Sequence, residues 1–387
     1  MNKTLDTIAK IAVSYAVRGL LTPLRLLPVR KNRVLFVSFR GKQYSCNPRA
    51  ISENLLKKAG GKLEIAWAFH DREKFRYLEK DGIKTLSDSS FEFLKYALTS
   101  RVIVTNTYYK PHIPRRRGQF FLRTWHGGGA YKRVGKAQNL PFLQRLFVNM
   151  QQEGADLYLS SSKAFTDMTL REAFGYKGEV LEAGMPRNDR LIKGDFKEAK
   201  ARVFDHLKIP EEAHLALYAP TYRDHMDADG QYPDFVRMEK ALVQRFGGEW
   251  KIAYRGHHVY YKNNVRAGCL NATDYPDMQD LLLAADALFT DYSSSIWDMS
   301  LRMKPVFLFC PDLEAYKSER DFFTDIRSWP FPLSQTDAGL EENIRNFDED
   351  KMKEDYRRHH RTLGSFETGN ASSLAADRIL SECEKGK

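Results

Sequence analysis

The sequence predicts an α/β protein of two Rossmann-like domains with parallel sheets, joined near residue 190. Three observations carry this. Short β-rich runs alternate with helix-like stretches from Arg33 onward, the pattern of a parallel sheet covered by helices on both faces. The runs form two series, separated by the polar Gly/Pro stretch Gly184-Met185-Pro186-Arg187-Asn188-Asp189, which suits a domain hinge. The chain's 387 residues also exceed what one hydrophobic core usually organises.

Residues 1–30 form a segment of their own. Lys3, Lys10, Arg18, Arg25 and Arg30 stand against one acid, Asp6, with Leu5, Ile8, Ile11, Tyr15, Leu20, Leu21 and Leu24 between them. No uncharged run approaches the ~20 residues that span a bilayer, and Lys10 and Arg18 interrupt the apolar part of any signal peptide. The spacing predicts a helix with an apolar stripe, broken at Pro23 and Pro28. Such a helix suits an anionic membrane surface; packing on the protein's own surface is the alternative.

In the first domain, residues 31–188, Val34 to Phe39 reads as a buried strand. Asn47-Pro48 supplies an N-cap and a first-turn proline for a helix to about Lys58. Further strands are predicted at Leu63 to Phe69, Arg101 to Thr105, Phe120 to Trp125 and Leu157 to Ser160. The second domain, residues 189–368, carries strands at Leu215 to Tyr218, Lys251 to Tyr254, Ala287 to Thr290 and Val306 to Phe309. A helix within residues 369–387 closes the chain.

Composition bounds the function. A hydrophobic share of 42% and a charged share of 29% exclude wholesale disorder. Cys46, Cys269, Cys310 and Cys383 lie far apart with no C-x-x-C pair, which excludes a disulfide scaffold and a zinc finger and fits a reducing cytosol. A net charge of +11 favours an anionic partner: nucleic acid, a phosphorylated substrate or an acidic membrane. The chain has no Lys/Arg tract interleaved with aromatics of the kind that binds RNA, so nucleic acid is not expected. The nucleophile-elbow and phosphate-loop patterns are absent as well.

Chemistry-bearing residues gather where the strands end, the edge at which open α/β sheets bind ligands. Thr124-Trp125-His126-Gly127-Gly128-Gly129 puts an imidazole beside a glycine run. It reads as a proton acceptor near neutral pH or as a structural histidine in a turn. Ala219-Pro220-Thr221-Tyr222-Arg223-Asp224 and Arg255-Gly256-His257-His258 end two strands of the second series. Thr290-Asp291-Tyr292-Ser293-Ser294-Ser295 ends a third and opens a helix, where hydroxyls and first-turn amides suit a phosphate. Salt-bridge, core and capping roles are the alternative for each. Asp224, Asp227 and Asp229 read as a solvated loop, and neither a divalent metal nor a cofactor is expected.

Six motifs in order resemble the CDP-glycerol glycerophosphotransferase family of teichoic acid synthesis, which includes polyglycerol and polyribitol phosphate primases and polymerases. They are Gly41-Lys42-Gln43-Tyr44-Ser45 with Asn47-Pro48, Trp125-His126-Gly127, Gly184 with Pro186-Arg187-Asn188-Asp189, Tyr218 to Asp224, Arg255-Gly256-His257, and Thr290 to Ser294 with Asp298. The resemblance implies a GT-B fold with an N-terminal acceptor domain, a C-terminal CDP-donor domain and a central cleft. It implies transfer of glycerol phosphate from CDP-glycerol to a hydroxyl of an undecaprenyl-diphosphate-linked saccharide or growing chain, with release of CMP. The enzyme would sit peripherally on the cytoplasmic face of a Gram-positive membrane. By that similarity His126 is the general base, with Gly127 beside it, and His257 assists the leaving group. Arg255, Ser293, Ser294 and Arg320 would bind substrate phosphate, Thr221 and Arg223 would also bind substrate, and Asp291 or Asp298 would hold ribose or glycerol hydroxyls. The chain departs from the family at Gly128-Gly129 (commonly Thr-Pro), His258 (often Pro) and Asp321 (usually Gly). CDP-ribitol transfer, capsule-polymer transfer and a non-catalytic membrane scaffold are the alternatives.

Overall fold

The computed structural model describes residues 3–107, 109–138, 141–152, 154–194, 196–221, 232–256 and 268–385. The chain forms two compact units. The first comprises Met1–His126, Val134–Asp189 and Phe366–Lys387, and the second Gly127–Arg133 and Arg190–Ser365.

The first unit opens with α1 (Lys3–Leu20), followed by β1 (Arg30–Val37), α2 (Cys46–Ala59), β2 (Glu64–Phe69), β3 (Lys84–Ser87), α3 (Phe91–Thr99) and β4 (Ser100–Thr105). It continues through β5 (Phe120–Arg123), α4 (Phe142–Gln152), β6 (Leu157–Ser160), a π-helical stretch (Phe165–Ala173) and β7 (Glu179–Glu182). The strands form one parallel sheet in the order β3-β2-β1-β4-β5-β6-β7. Alternation along β1 fills both faces: Val34 and Phe36 join Ile51, Leu55 and Trp67 on one side, Leu35 and Val37 join Phe93 and Leu98 on the other.

α5 (Asp189–Lys193) begins as the last residue of the first unit and continues into the second. The second unit then holds α6 (Phe196–Leu207), β8 (His214–Tyr218), α7 (Phe235–Phe246), β9 (Trp250–Tyr254), β10 (Leu270–Asn271), α8 (Met278–Ala284), β11 (Ala287–Thr290) and α9 (Ser295–Leu301). β12 (Val306–Phe309), α10 (Leu313–Glu319), β13 (Leu333–Ser334), α11 (Asp337–Arg345) and α12 (Glu349–Thr362) complete it. Its sheet is also parallel, ordered β10-β9-β8-β11-β12-β13. Both orders are doubly wound. Each reverses direction beside its first strand, at β1/β4 and at β8/β11, the places where such sheets bind ligands beyond their carboxyl ends.

Several elements differ from expectation. β3, β7, β10 and β13 are the edge strands; β10 and β13 have two residues each, and β3 and β7 are partly exposed with polar ends, so no continuous apolar run marks them. α2 is preceded by Ser45 in extended conformation rather than capped by Asn47, whose fully buried amide bonds elsewhere. The last helix, α13 (Ala371–Glu384), is not an appendage of the second unit. Ala371, Ala375, Ala376 and Ile379 pack into the core of the first, against α2.

α1 presents an inverted amphipathicity. The buried positions Thr7, Ser14 and Leu21 recur at seven-residue intervals and face the first unit, while Leu5, Ile8, Val13, Tyr15 and Leu20 point to solvent. Arg18 fixes the helix by donating from Nε to the carbonyl of Pro111 at 2.8 Å. A surface helix normally turns its large apolar side chains inward. No helix among the described residues is long and apolar enough to cross a membrane.

Candidate functional site

In the first unit the site is built around His126, three residues past the end of β5. Its Nδ1 lies 2.9 Å from the main-chain oxygen of Asn106. A carbonyl only accepts, so Nδ1 carries the hydrogen and Nε2 of the neutral ring carries the lone pair. Asn106 follows β4 directly, and its side chain spans the switch point: Oδ1 accepts from the amide of Phe39 at 2.8 Å, and Nδ2 donates to Ser38 Oγ at 3.2 Å. The rings of Trp125 and Phe39 flank the imidazole at 4.3 and 5.6 Å between centroids.

The backbone here is strained. Phe39, Arg40, Cys46 and Trp125 all have positive φ, between 45° and 63°. Each costs about 1–2 kcal/mol for a side chain with a Cβ, and such residues persist where the surroundings over-determine them.

The second unit repeats the switch-point clasp. Asp291, at the end of β11, accepts from the amide of Thr221 at 2.8 Å and from its hydroxyl at 2.6 Å, both on Oδ1, and also from the amide of Tyr292. The sheet order sets the ends of β9, β8 and β11 side by side, so Arg255, Thr221 and Ser293–Ser294 share one edge. Ser294 precedes α9 and makes no side-chain capping bond, while Ser293 Oγ accepts from the amide of Ser295 at 3.3 Å. Arg255 donates to the carbonyl of Tyr275 at 2.9 Å and has no ion pair among the described residues. Burial pushes its pKa below the usual guanidinium value, partly offset by Asp277. A cation held this way gains from a phosphate.

Asp291 and Asp298 are 1% and 2% exposed. Asp291 is engaged by its own loop, and Asp298 accepts from Gln279 Nε2 at 3.3 Å. Both carboxylates are engaged by neighbouring protein groups. Arg320 is exposed, at the end of α10, and the following Asp321 has φ +54°, a left-handed position that suits the glycine usual in the resembling family. Arg223, His257 and His258 lie outside the described residues, as does the Asp224–Asp229 cluster. No group of three or more metal-ligating side chains occurs among the described residues.

The glycines after His126 have individual reasons. Gly127 is buried, and with it Gly127–Arg133 packs in the second unit. A Cβ on Gly128 would stand 2.2 Å from Cδ1 of Trp297, so this indole occupies the space that threonine would need. Further along the same stretch, the carbonyl of Tyr131 accepts the amide of Phe323 at 2.9 Å, and its hydroxyl meets Nε2 of His359 at 2.9 Å.

Sequence reading passes over Asn106, Asn47 and Trp297. Asn106 is open to the same strand-end rule that marks His126. Asn47 reads as a cap and as part of the first family motif, without a partner, and Trp297 only as helix.

Similarity to known proteins agrees with this architecture. Residues 21–381 match the family described as CDP-Glycerol:Poly(glycerophosphate) glycerophosphotransferase. A teichoic acid poly(glycerol phosphate) polymerase of Bacillus spizizenii is 29% identical, over 92% of this chain and 93% of its own. A teichoic acid ribitol-phosphate primase of the same organism is 30% identical, over 93% of this chain and 94% of its own. The structure of the wall teichoic acid polymerase TagF superposes with a TM-score of 0.81 at 24% identity, covering 99% of this chain and 98% of that one, and shares the fold. Two parallel doubly wound sheets, strand-end motifs in the family's order and a match over nearly the whole chain show that this protein belongs to the CDP-glycerol:poly(glycerophosphate) glycerophosphotransferase family of teichoic acid enzymes.

Proposed function

We propose that the protein transfers glycerol phosphate from CDP-glycerol to a hydroxyl of an undecaprenyl-diphosphate-linked saccharide or growing teichoic chain, releasing CMP. The observation that carries the reading is the fixed tautomer of His126, whose Nδ1 is committed to the Asn106 carbonyl. Nε2 takes the acceptor's proton as its oxygen bonds to the phosphorus that bears glycerol. The bond from that phosphorus to the bridging oxygen breaks, and CMP leaves with the electron pair. Catalysis here is positioning and charge stabilisation. The first unit supplies the acceptor-side base. The second holds the donor, with Arg255, Thr221, Ser293 and Ser294 at adjoining strand ends and Arg223, His257 and Arg320 as further phosphate contacts, His257 assisting departure of CMP.

CDP-ribitol is the second reading of the donor, favoured by the 30% identity to a ribitol-phosphate primase. The test offers labelled CDP-glycerol and CDP-ribitol with a synthetic lipid-linked disaccharide. CMP release with a product heavier by one or more glycerol phosphates is expected, and absence of CMP release with both donors overturns the proposal.

The outward apolar face of α1, with Arg25 and Arg30 exposed in the segment that follows it, supports peripheral attachment to the cytoplasmic face of a Gram-positive membrane. Flotation with anionic vesicles should be lost when residues 1–28 are removed; equal recovery of the truncated protein would sink the attachment.

A further inference from the structure

We propose that Arg187 and Asn47 are positioning residues for His126. The motif Pro186-Arg187-Asn188-Asp189 reads as a hinge in the sequence, yet Pro186, Arg187 and Asn188 are buried, in a 3-10 turn within the first unit. Two neighbouring residues pin that turn. Asn188 Nδ2 donates to Glu367 Oε1 at 2.9 Å, and Glu367 Oε2 accepts the amide of Met185 at 3.0 Å. Asp189 accepts the amides of Ala371 and Ser372 at 3.0 and 2.7 Å, at the start of α13. Gly184 lets Glu367 approach, since a Cβ there would stand 2.6 Å from Oε2.

The turn so anchored aims Arg187 at the strained strand end. Its guanidinium donates from Nη1 to the carbonyl of His126. Its amide donates to Asn47 Oδ1 at 3.1 Å, and Asn47 Nδ2 donates to the carbonyl of Trp125 at 3.0 Å. The two carbonyls that bracket the His126 α-carbon are therefore both held, one by each residue. Trp125 sits at φ +57°, a conformation that relaxes unless it is over-determined. With Nδ1 tied to Asn106, three anchors fix the direction in which Nε2 points. Burying a guanidinium against a main-chain oxygen carries a desolvation cost that a plain turn would not require. The Asn47 amide, at 0% exposure with both ends engaged, adds rigidity to the same peptide. The arrangement serves orientation of the imidazole, where an error of about 1 Å costs on the order of 10²-fold in rate.

This inference rests on His126 as the proton acceptor, so the test separates the two. Arg187→Lys and Asn47→Asp are made alone and in a His126→Asn background, reading kcat, the KM for CDP-glycerol and, by calorimetry, its Kd. Arg187→Lys should lower kcat by roughly 10–100-fold with donor KM and Kd within about twofold, and should cause no further loss in the His126→Asn background. Asn47→Asp, nearly isosteric, loses the donor to Trp125 and should behave alike. Unchanged kcat in both single variants overturns the inference while the function stands. Equal fold-losses in the presence and absence of His126 overturn it too, because they mark a merely structural role. Full turnover by His126→Asn alone overturns both this inference and the reading of His126.

Discussion

Replacing His126 with asparagine should reduce CMP release by roughly 10²–10⁴-fold, the contribution usual for a positioned acid/base group. Asparagine is the informative choice because its Nδ2 takes the place of the ring's Nδ1 and can still donate to the Asn106 carbonyl, 2.9 Å away in the native protein. The variant therefore keeps the bond that ties β5's end to β4's end and loses only Nε2, the nitrogen proposed to accept the proton. Its donor affinity should match the native value, since the donor contacts proposed lie in the second unit. Timed assays of CMP release, with donor Kd from calorimetry, check both halves of the expectation. Near-normal turnover would remove His126 from the chemistry.

The strands that position this site are legible because they are buried on both faces. Leu157–Ser160, Ala287–Thr290 and Val306–Phe309 fall where continuous apolar runs predict them. β10 and β13, with two residues each, bury too little to leave such a mark. Local sequence alone is enough to put His126, Thr221, Arg255 and Ser293 just past strand ends, where they stand in the fold. What lies behind them is not encoded locally. Asn47 sits 78 residues from Trp125 and Glu367 179 residues from Asn188, and no periodicity marks a contact at that separation. The same distance effect hides the return of α13 to the first unit. It also hides the partner of Asp298, since Gln279 lies 19 residues away.

Acid should destabilise the second unit through His359 and His360, adjacent on α12. His360 Nε2 lies 2.8 Å from Ser300 Oγ, which itself donates to the carbonyl of Trp297 at 2.8 Å, so the imidazole supplies the hydrogen. His359 Nε2 meets the hydroxyl of Tyr131, and Phe331 and Trp297 pack on the two rings. Burial pushes both pKa values down from 6.5 to about 4, and for His359 the charge of His360 adds to it. The unfolded chain therefore binds up to two more protons than the folded one between about pH 6.5 and 4. The stabilisation is complete above pH 6.5 and is lost as pH falls through that window. Each tenfold weakening of proton binding on folding is worth about 1.4 kcal/mol, so the two rings together cost roughly 3–4 kcal/mol between pH 7 and pH 5. Urea unfolding at pH 7, 6 and 5 should show that loss, and His359→Gln with His360→Gln should flatten it. An equally steep loss in the double variant would assign the acid sensitivity to other groups. Asp355 lies one turn before His359. Its burial raises the carboxyl less than Lys351 and Arg358 together lower it, so it stays below its usual range. Its contribution is lost only at more acidic pH, and the interval from 7 to 5 therefore separates the histidines from it.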